Sequence, residues 1–187
     1  MNDYRLNRFQ GSIFLTGFMA SGKSTIGRLV AELINRPFVD LDEIIEEKER
    51  KSIKDIFKEE GEKYFRDKER EYLLELTKNF SGVIALGGGA LQNQRIIDQL
   101  KLRGLLVLIK IPLEVIIERV SRNKNRPITL DAEGKIKSRE TLLNELKSLY
   151  LSREGLYSQA QITVESDGYR PKEEIAQILI EKLKRHV

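Results

Sequence analysis

The chain has 187 residues, enough for one domain with a sizeable core and too few for two of ordinary size. Hydrophobic residues at 40% and charged residues at 33% describe a globular protein with a charged surface, and the lack of cysteine excludes disulfides and thiolate metal sites. The net charge of +4 is spread along the chain without an arginine-rich block or aromatic stripe, which argues against a nucleic-acid groove.

The first ten residues lack an apolar stretch of signal-peptide length. The longest apolar runs, such as Leu105-Leu106-Val107-Leu108-Ile109, fall far short of a membrane span. A cytoplasmic protein without membrane contact is expected.

Residues 13–16 read as a short apolar strand and residues 26–34 as a helix, with Ile26, Leu29, Val30 and Leu33 at helical spacing. Between them lies Gly17-Phe18-Met19-Ala20-Ser21-Gly22-Lys23-Ser24-Thr25, which fits the phosphate-loop pattern of Gly, four residues, Gly-Lys-Ser/Thr. Its glycines let the backbone bend around an anion, and N–H groups at the helix start point at it. Lys23 would reach the β- and γ-phosphates, and the Ser24 hydroxyl would serve Mg²⁺. A nucleoside triphosphate is therefore the expected ligand.

Further strands are expected at 37–41, 82–86, 105–111 and 161–165, each short and rich in Val, Ile and Leu. Phe65, Leu73, Leu76 and Phe80 keep helical spacing, and Pro112 and Pro171 stand where first helical turns should begin. The alternation predicts one α/β domain over 1–187, a parallel sheet sandwiched by helices, with ligands at the carboxyl ends of the strands. Residues 123–137 are polar, contain Pro127 and Gly134, and read as a lid.

Several residues downstream of the loop bear on the reaction. Asp40 and Asp42 close the second strand, and two-residue spacing on extended chain turns both carboxylates to one side. One would steady Mg²⁺ through water, and the other would accept a proton or hold two hydroxyls. Capping of the following helix by Asp42 is the plainer reading. Gly87-Gly88-Gly89 follows the third strand, where a ligand can approach the backbone closely. Arg66, Arg126 and Arg153 offer guanidinium forks for carboxylate or phosphate, although sequence spacing alone cannot bring them together.

In order and interval these motifs resemble the shikimate kinase family from about residue 12 to the C-terminus. The phosphate loop belongs to a large superfamily. The joint presence of Asp40-Leu41-Asp42, Phe65-Arg66, Gly87-Gly88-Gly89, Arg126-Pro127 and Arg153-x-x-Leu156-Tyr157 is far more specific. The resemblance implies a three-layer phosphate-loop kinase fold of the nucleoside-monophosphate-kinase type, with a five-stranded parallel sheet, a helical substrate region at about 43–79 and a closing lid. It also implies transfer of the γ-phosphoryl of ATP to the 3-hydroxyl of shikimate, a step towards chorismate and the aromatic amino acids. Asp42 would hold the substrate hydroxyls and serve as base or orienter. Arg66 and Arg153 would clamp the carboxylate, and Gly87, Gly88 and Gly89 would line the ring site. Lys23 and Arg126 would balance charge on the moving phosphoryl group, while Ser24 and Asp40 manage Mg²⁺. Ala20, Ser21, Gly22 and Thr25 would complete the phosphate cradle, and Arg119 would pack on adenine, with Arg122 as its competitor. ATP and shikimate are the implied partners of a monomer.

Two departures from the family stand out. Ala20 occupies a position commonly held by glycine, and its methyl is expected to be tolerated at negative φ. The lid reads Arg126-Pro127-Ile128-Thr129 in place of Arg-Pro-Leu-Leu. His186, the only histidine, is expected in solvent. A gluconate kinase is the nearest competing activity, opposed by Asp-x-Asp together with the glycine triplet. A nucleotide-binding module without catalysis is opposed by the presence of Lys23, Asp42, Arg66 and Arg153.

Overall fold

The computed structural model describes residues 6, 9–122, 127–129, 135 and 137–187. Five parallel strands form one sheet: β1 (Ser12–Thr16), β2 (Phe38–Asp40), β3 (Val83–Ala85), β4 (Gly104–Lys110) and β5 (Ile162–Glu165). Their order is β2-β3-β1-β4-β5. The helices are α1 (Lys23–Leu33), α2 (Leu41–Glu49), α3 (Ile53–Glu59), α4 (Gly61–Asn79), α5 (Gln94–Arg103), α6 (Leu113–Arg122), α7 (Arg139–Tyr157) and α8 (Lys172–Lys184). None of the described helices is long and apolar enough to cross a membrane.

Alternation along the buried strands makes two cores. Ile13 and Leu15 of β1, with Leu105, Val107 and Ile109 of β4, face α1 and α8. Phe14, Leu106 and Leu108 face the opposite way, towards α2 to α7. Apolar residues on both faces are what a sheet covered by helices on each side requires. The expected three-layer architecture and all five strands are present, with ends differing by a residue or so.

Differences from expectation have local causes. The second strand stops at Asp40 and α2 begins at Leu41, because the Asp40 side chain accepts the Asp42 N–H at 3.0 Å and caps the helix. The helical region expected at 43–79 is divided among three helices. Arg50 closes α2 in the left-handed region, Ser52 caps α3 through the Asp55 N–H, and Gly61 opens α4 at φ 85°. Pro112 and Pro171 lie one residue ahead of α6 and α8. Of the expected lid, residues 123–126, 130–134 and 136 lie outside the described residues; Pro127–Thr129 is a single 3₁₀ turn.

The topology sets three carboxyl ends side by side. Asp40 of β2 is in register with Ala85 of β3, which is in register with Leu15 of β1. Asp40 and α2, the Gly87–Gly89 turn and the phosphate loop therefore emerge next to one another. Helix α4 is anchored to α2 by Tyr64 and Tyr72, whose hydroxyls both donate to the Glu49 carboxylate. Burial of Phe65, Tyr72 and Leu73 presses α4 onto the sheet face and gives Arg66 a fixed origin.

Candidate active site

The phosphate loop leaves β1 and ends at Gly22, which caps α1 from left-handed backbone at φ 96°. Among the described residues no side chain caps this helix, and its first turn carries no acidic residue. The first N–H groups of α1 and its positive dipole end are thus kept for an anion. Ala20, Gly22, Lys23, Ser24 and Thr25 line a cavity of about 400 Å³ together with Asp40, Asp42, Gly88 and Arg119. Ser21 stands apart from them. Its hydroxyl is buried, and a Cβ on Gly17 would sit 3.1 Å from it, so its side chain turns beneath the loop and its backbone alone faces a ligand.

Ala20 answers a question that the sequence leaves open. Its φ is +60°, in the left-handed region, so the condition of negative φ under which its methyl would be tolerated is not met. The Arg119 guanidinium donates to the Ala20 carbonyl at 2.9 Å and to the Gly168 carbonyl, which brings α6 and the β5–α8 connection against the loop. Arg122, the competitor for the place beside adenine, is exposed and pairs with Glu118 at 2.5 Å; Arg119 is the arginine at the loop. Arg126 lies outside the described residues.

Lys23 is buried, and its Nζ donates to the carbonyls of Gly17 at 3.0 Å and Phe18 at 3.1 Å. The ammonium is held inside the curve of the loop. Ser24 Oγ donates to Asp40 Oδ2 at 2.5 Å, so one carboxylate oxygen meets the first turn of α1 while the other caps α2. Hydroxyl and carboxylate oxygens suit Mg²⁺, which takes few protein ligands beside water and phosphate.

Asp42, the second residue of α2, has its pKa pushed up to about 6. Burial is the main cause, followed by the negative charges of Asp40 and Glu69, with Lys23 opposing. The two-on-one-side argument from extended chain does not apply, since Leu41 is already helical; the two carboxylates are neighbours because Asp40 caps the helix that carries Asp42.

The glycine triplet is where the remaining residues meet. A Cβ on Gly87 would come within 2.6 Å of Glu69 Oε1 and 2.8 Å of Asp42 Oδ1. A Cβ on Gly89 would strike the Arg66 guanidinium at 2.7–2.9 Å. The Gly88 carbonyl accepts from Arg153 Nη1 at 2.9 Å and from the Tyr157 hydroxyl at 2.5 Å, both from α7. Asp42, Arg66 and Arg153 thus converge on one bare stretch of backbone, at the rim of the phosphate-loop cavity that Gly88 and Asp42 also line. Two guanidinium groups and one carboxylate beside exposed backbone suit a small hydroxylated carboxylate.

Residues 19–184 match the family model for shikimate kinase. The chain belongs to the shikimate kinase family. The shikimate kinase of Aquifex aeolicus is 39% identical over 168 residues, covering 90% of this chain and 93% of that one. The structure of Acinetobacter baumannii shikimate kinase in complex with shikimate superposes with a TM-score of 0.84 at 35% identity, over 95% of this chain and 94% of the other. The enzyme from Bacteroides thetaiotaomicron gives 0.84 at 32% identity, over 94% and 99%. A gluconokinase from Sinorhizobium meliloti, at 18% identity and a TM-score of 0.51, shares the fold alone.

Three residues have no role in the sequence analysis, Tyr157 standing there only as part of a motif. Glu69 is 1% exposed and binds Arg66 Nη1 at 2.7 Å, while its Oε1 has no hydrogen-bond partner among the described residues. Gln92 Nε2 donates to the Arg66 carbonyl at 3.0 Å and lies 3.3 Å from Glu69 Oε2. Tyr157 shares the Gly88 carbonyl with Arg153. A signal existed for Glu69: it falls on the apolar stripe of α4 between Phe65 and Leu73, three residues after Arg66, and a charge on a core face needs a partner. Gln92 carried none. His186 is exposed, as expected.

Proposed function

We propose that this protein transfers the γ-phosphoryl group of ATP to the 3-hydroxyl of shikimate, giving shikimate 3-phosphate and ADP. The observation that carries the reading is the convergence of Asp42, Arg66 and Arg153 on Gly87–Gly89, directly beside the phosphate-loop cavity. The two arginines fit the substrate carboxylate, and the bare backbone admits its ring. Asp42 fits the hydroxyls and takes the proton of the attacking one, and its pKa of about 6 leaves it largely ionised at neutral pH.

On the donor side, Gly22 and the N–H groups that follow it cradle the phosphates, with Ala20, Ser21 and Thr25 completing the loop. Lys23 leaves the Gly17 and Phe18 carbonyls for phosphate oxygens and lies between donor and acceptor. Ser24 and Asp40 would hold Mg²⁺, which would supply positive charge against the phosphates. Arg119 stands where the base would lie, and Arg126 enters as a second cation on sequence grounds alone. Positioning and charge balance are what this reaction needs, so a site without a covalent nucleophile suits it.

The protein is proposed to act as a cytoplasmic monomer on small molecules only. Coupled ADP release with shikimate and gluconate in parallel tests the substrate: turnover with shikimate is expected, and turnover with gluconate alone would refute the assignment. A light-scattering mass near one chain tests the monomer.

A further inference from the structure

Ala20 places a methyl group on left-handed backbone in the middle of the phosphate loop. That conformation disfavours alanine relative to glycine by about a factor of 10 in population, and alanine lacks the polar side chain that lets Asn or Asp settle there. The loop's own bonds, from Lys23 Nζ and the Ser21 N–H, end on the Gly17 and Phe18 carbonyls, and the Ala20 carbonyl is held from outside the loop. The Ala20 carbonyl accepts from Arg119 Nη1 at 2.9 Å. A hydrogen bond from a charged donor is worth about a factor of 10 to 100, which outweighs the penalty.

The brace has a fixed base. The second arm of the guanidinium, Nη2, donates to the Gly168 carbonyl. The connection bearing Gly168 is tied down on both sides. Ser166 Oγ accepts the Gly168 N–H at 3.1 Å, and Asp167 Oδ1 accepts the N–H groups of Tyr169 at 2.8 Å and Arg170 at 3.0 Å. Gly168 itself has φ 87° and lies so close to α6 that a Cβ would meet Val115 Cγ1 at 2.6 Å. Arg119 and its anchor are thus locked to the same helix, and the only strained element in contact with the guanidinium among the described residues is the phosphate loop.

We infer that Arg119 is a positioning residue that holds Ala20 left-handed, and the phosphate loop in its anion-binding shape, before nucleotide arrives. This dependence exists because residue 20 is alanine. With glycine the same backbone carries no steric penalty, so the brace has less to offset. The inference rests on the reading that loop 17–25 takes nucleotide phosphates.

A double-mutant cycle tests it, with ADP dissociation constants measured by calorimetry for the wild type, Arg119→Met, Ala20→Gly and the double variant. Any contact of Arg119 with the base is lost equally in both backgrounds, so the cycle isolates the brace. Arg119→Met is expected to weaken ADP binding about fivefold more in the wild-type background than in the Ala20→Gly background, the factor that about 1 kcal/mol represents. Arg119→Gln, as a second variant, should give the same coupling, and thermal melts verify that each variant is folded. Equal losses in the two backgrounds, within twofold, would overturn the inference. Absence of ADP binding by the wild type would overturn the nucleotide reading of the loop, and the brace with it.

Discussion

Replacing Gly89 by alanine separates binding from stability at this site. The added Cβ would lie 2.7 Å from Arg66 Nη1 and 2.9 Å from Cζ and Nη2. Ordinary contact begins near 3.4 Å, so the guanidinium must retreat by roughly 0.5–0.7 Å. Gly89 is outside the left-handed region, so alanine fits its backbone, and the displaced atoms are the far end of a flexible side chain. The fold should therefore lose less than about 1 kcal/mol. Binding should suffer more, because a charge-assisted contact to a carboxylate is worth about 1.5–3 kcal/mol and needs its geometry intact. A rise in the shikimate KM of about 10- to 100-fold is expected, with a melting temperature within a few degrees of wild type. Gly88→Ala is the control. Its Cβ would come no closer than 3.2 Å to Met19 N and 3.7 Å to Arg153 Nη1, so only a small change in KM is expected. Steady-state kinetics with shikimate varied at saturating ATP, alongside thermal melts, read both quantities. A KM for Gly89→Ala within twofold of wild type would refute the placement of Arg66 at the substrate.

Four other outcomes rest on the same geometry. Since Asp42 must be ionised to accept a proton and its pKa is about 6, kcat/KM for shikimate should fall as pH drops through 6. The raised pKa also means that between about pH 4 and 6 the folded chain holds a proton the unfolded chain has released. Stability contributed by Asp42 therefore declines as pH rises through that window. Asp42→Asn should lose most of kcat yet melt higher than wild type above pH 7; a lower melting temperature there would contradict the burial argument. Glu69→Gln should raise the shikimate KM about fivefold by weakening the hold on Arg66. It should also move the acid limb to lower pH, because one of the charges that raise the Asp42 pKa is gone; an unmoved limb would show that Glu69 does not act on Asp42. Lys23→Ala should abolish turnover with an unchanged melting profile, and residual activity above a few percent would remove Lys23 from its proposed role.

The sequence carried the donor half of this site better than the acceptor half. A phosphate loop is local: its glycines, lysine and hydroxyl lie within nine residues, and the strand before and helix after it are set by short-range pattern. Strands were readable because apolar runs of β-branched residues and leucine belong in a doubly covered sheet. The acceptor half depends on which strands become neighbours. Asp42, Arg66, the glycine triplet and Arg153 span more than a hundred residues, and only the order β2-β3-β1 puts their supports together. Residue types and resemblance named these positions; topology explains why they meet. Glu69 and Gln92 were passed over because a polar residue on a helix or in a loop looks like solvated surface until its neighbours are known. The φ of Ala20 was not legible because alanine by itself reports no left-handed backbone, and here the methyl sits on the very backbone that glycine would favour.

The division of labour between Asp40 and Asp42 follows from the same capping event. Asp40 is the last residue of β2, and both its oxygens are engaged: one caps α2 through the Asp42 N–H, and the other accepts from Ser24. Those two bonds fix the orientation of the carboxylate and keep it beside the phosphate loop. Asp42 sits two residues further on, in the wall of the cavity, with burial and the charges of Asp40 and Glu69 working against ionisation. One carboxylate is therefore fitted to hold a cation and its neighbour to exchange a proton, although the two are separated by a single leucine. Leu41 makes the separation possible. Fully buried in the core beneath α2, it pins the turn at which strand becomes helix, so the two carboxylates leave the backbone from different secondary structures.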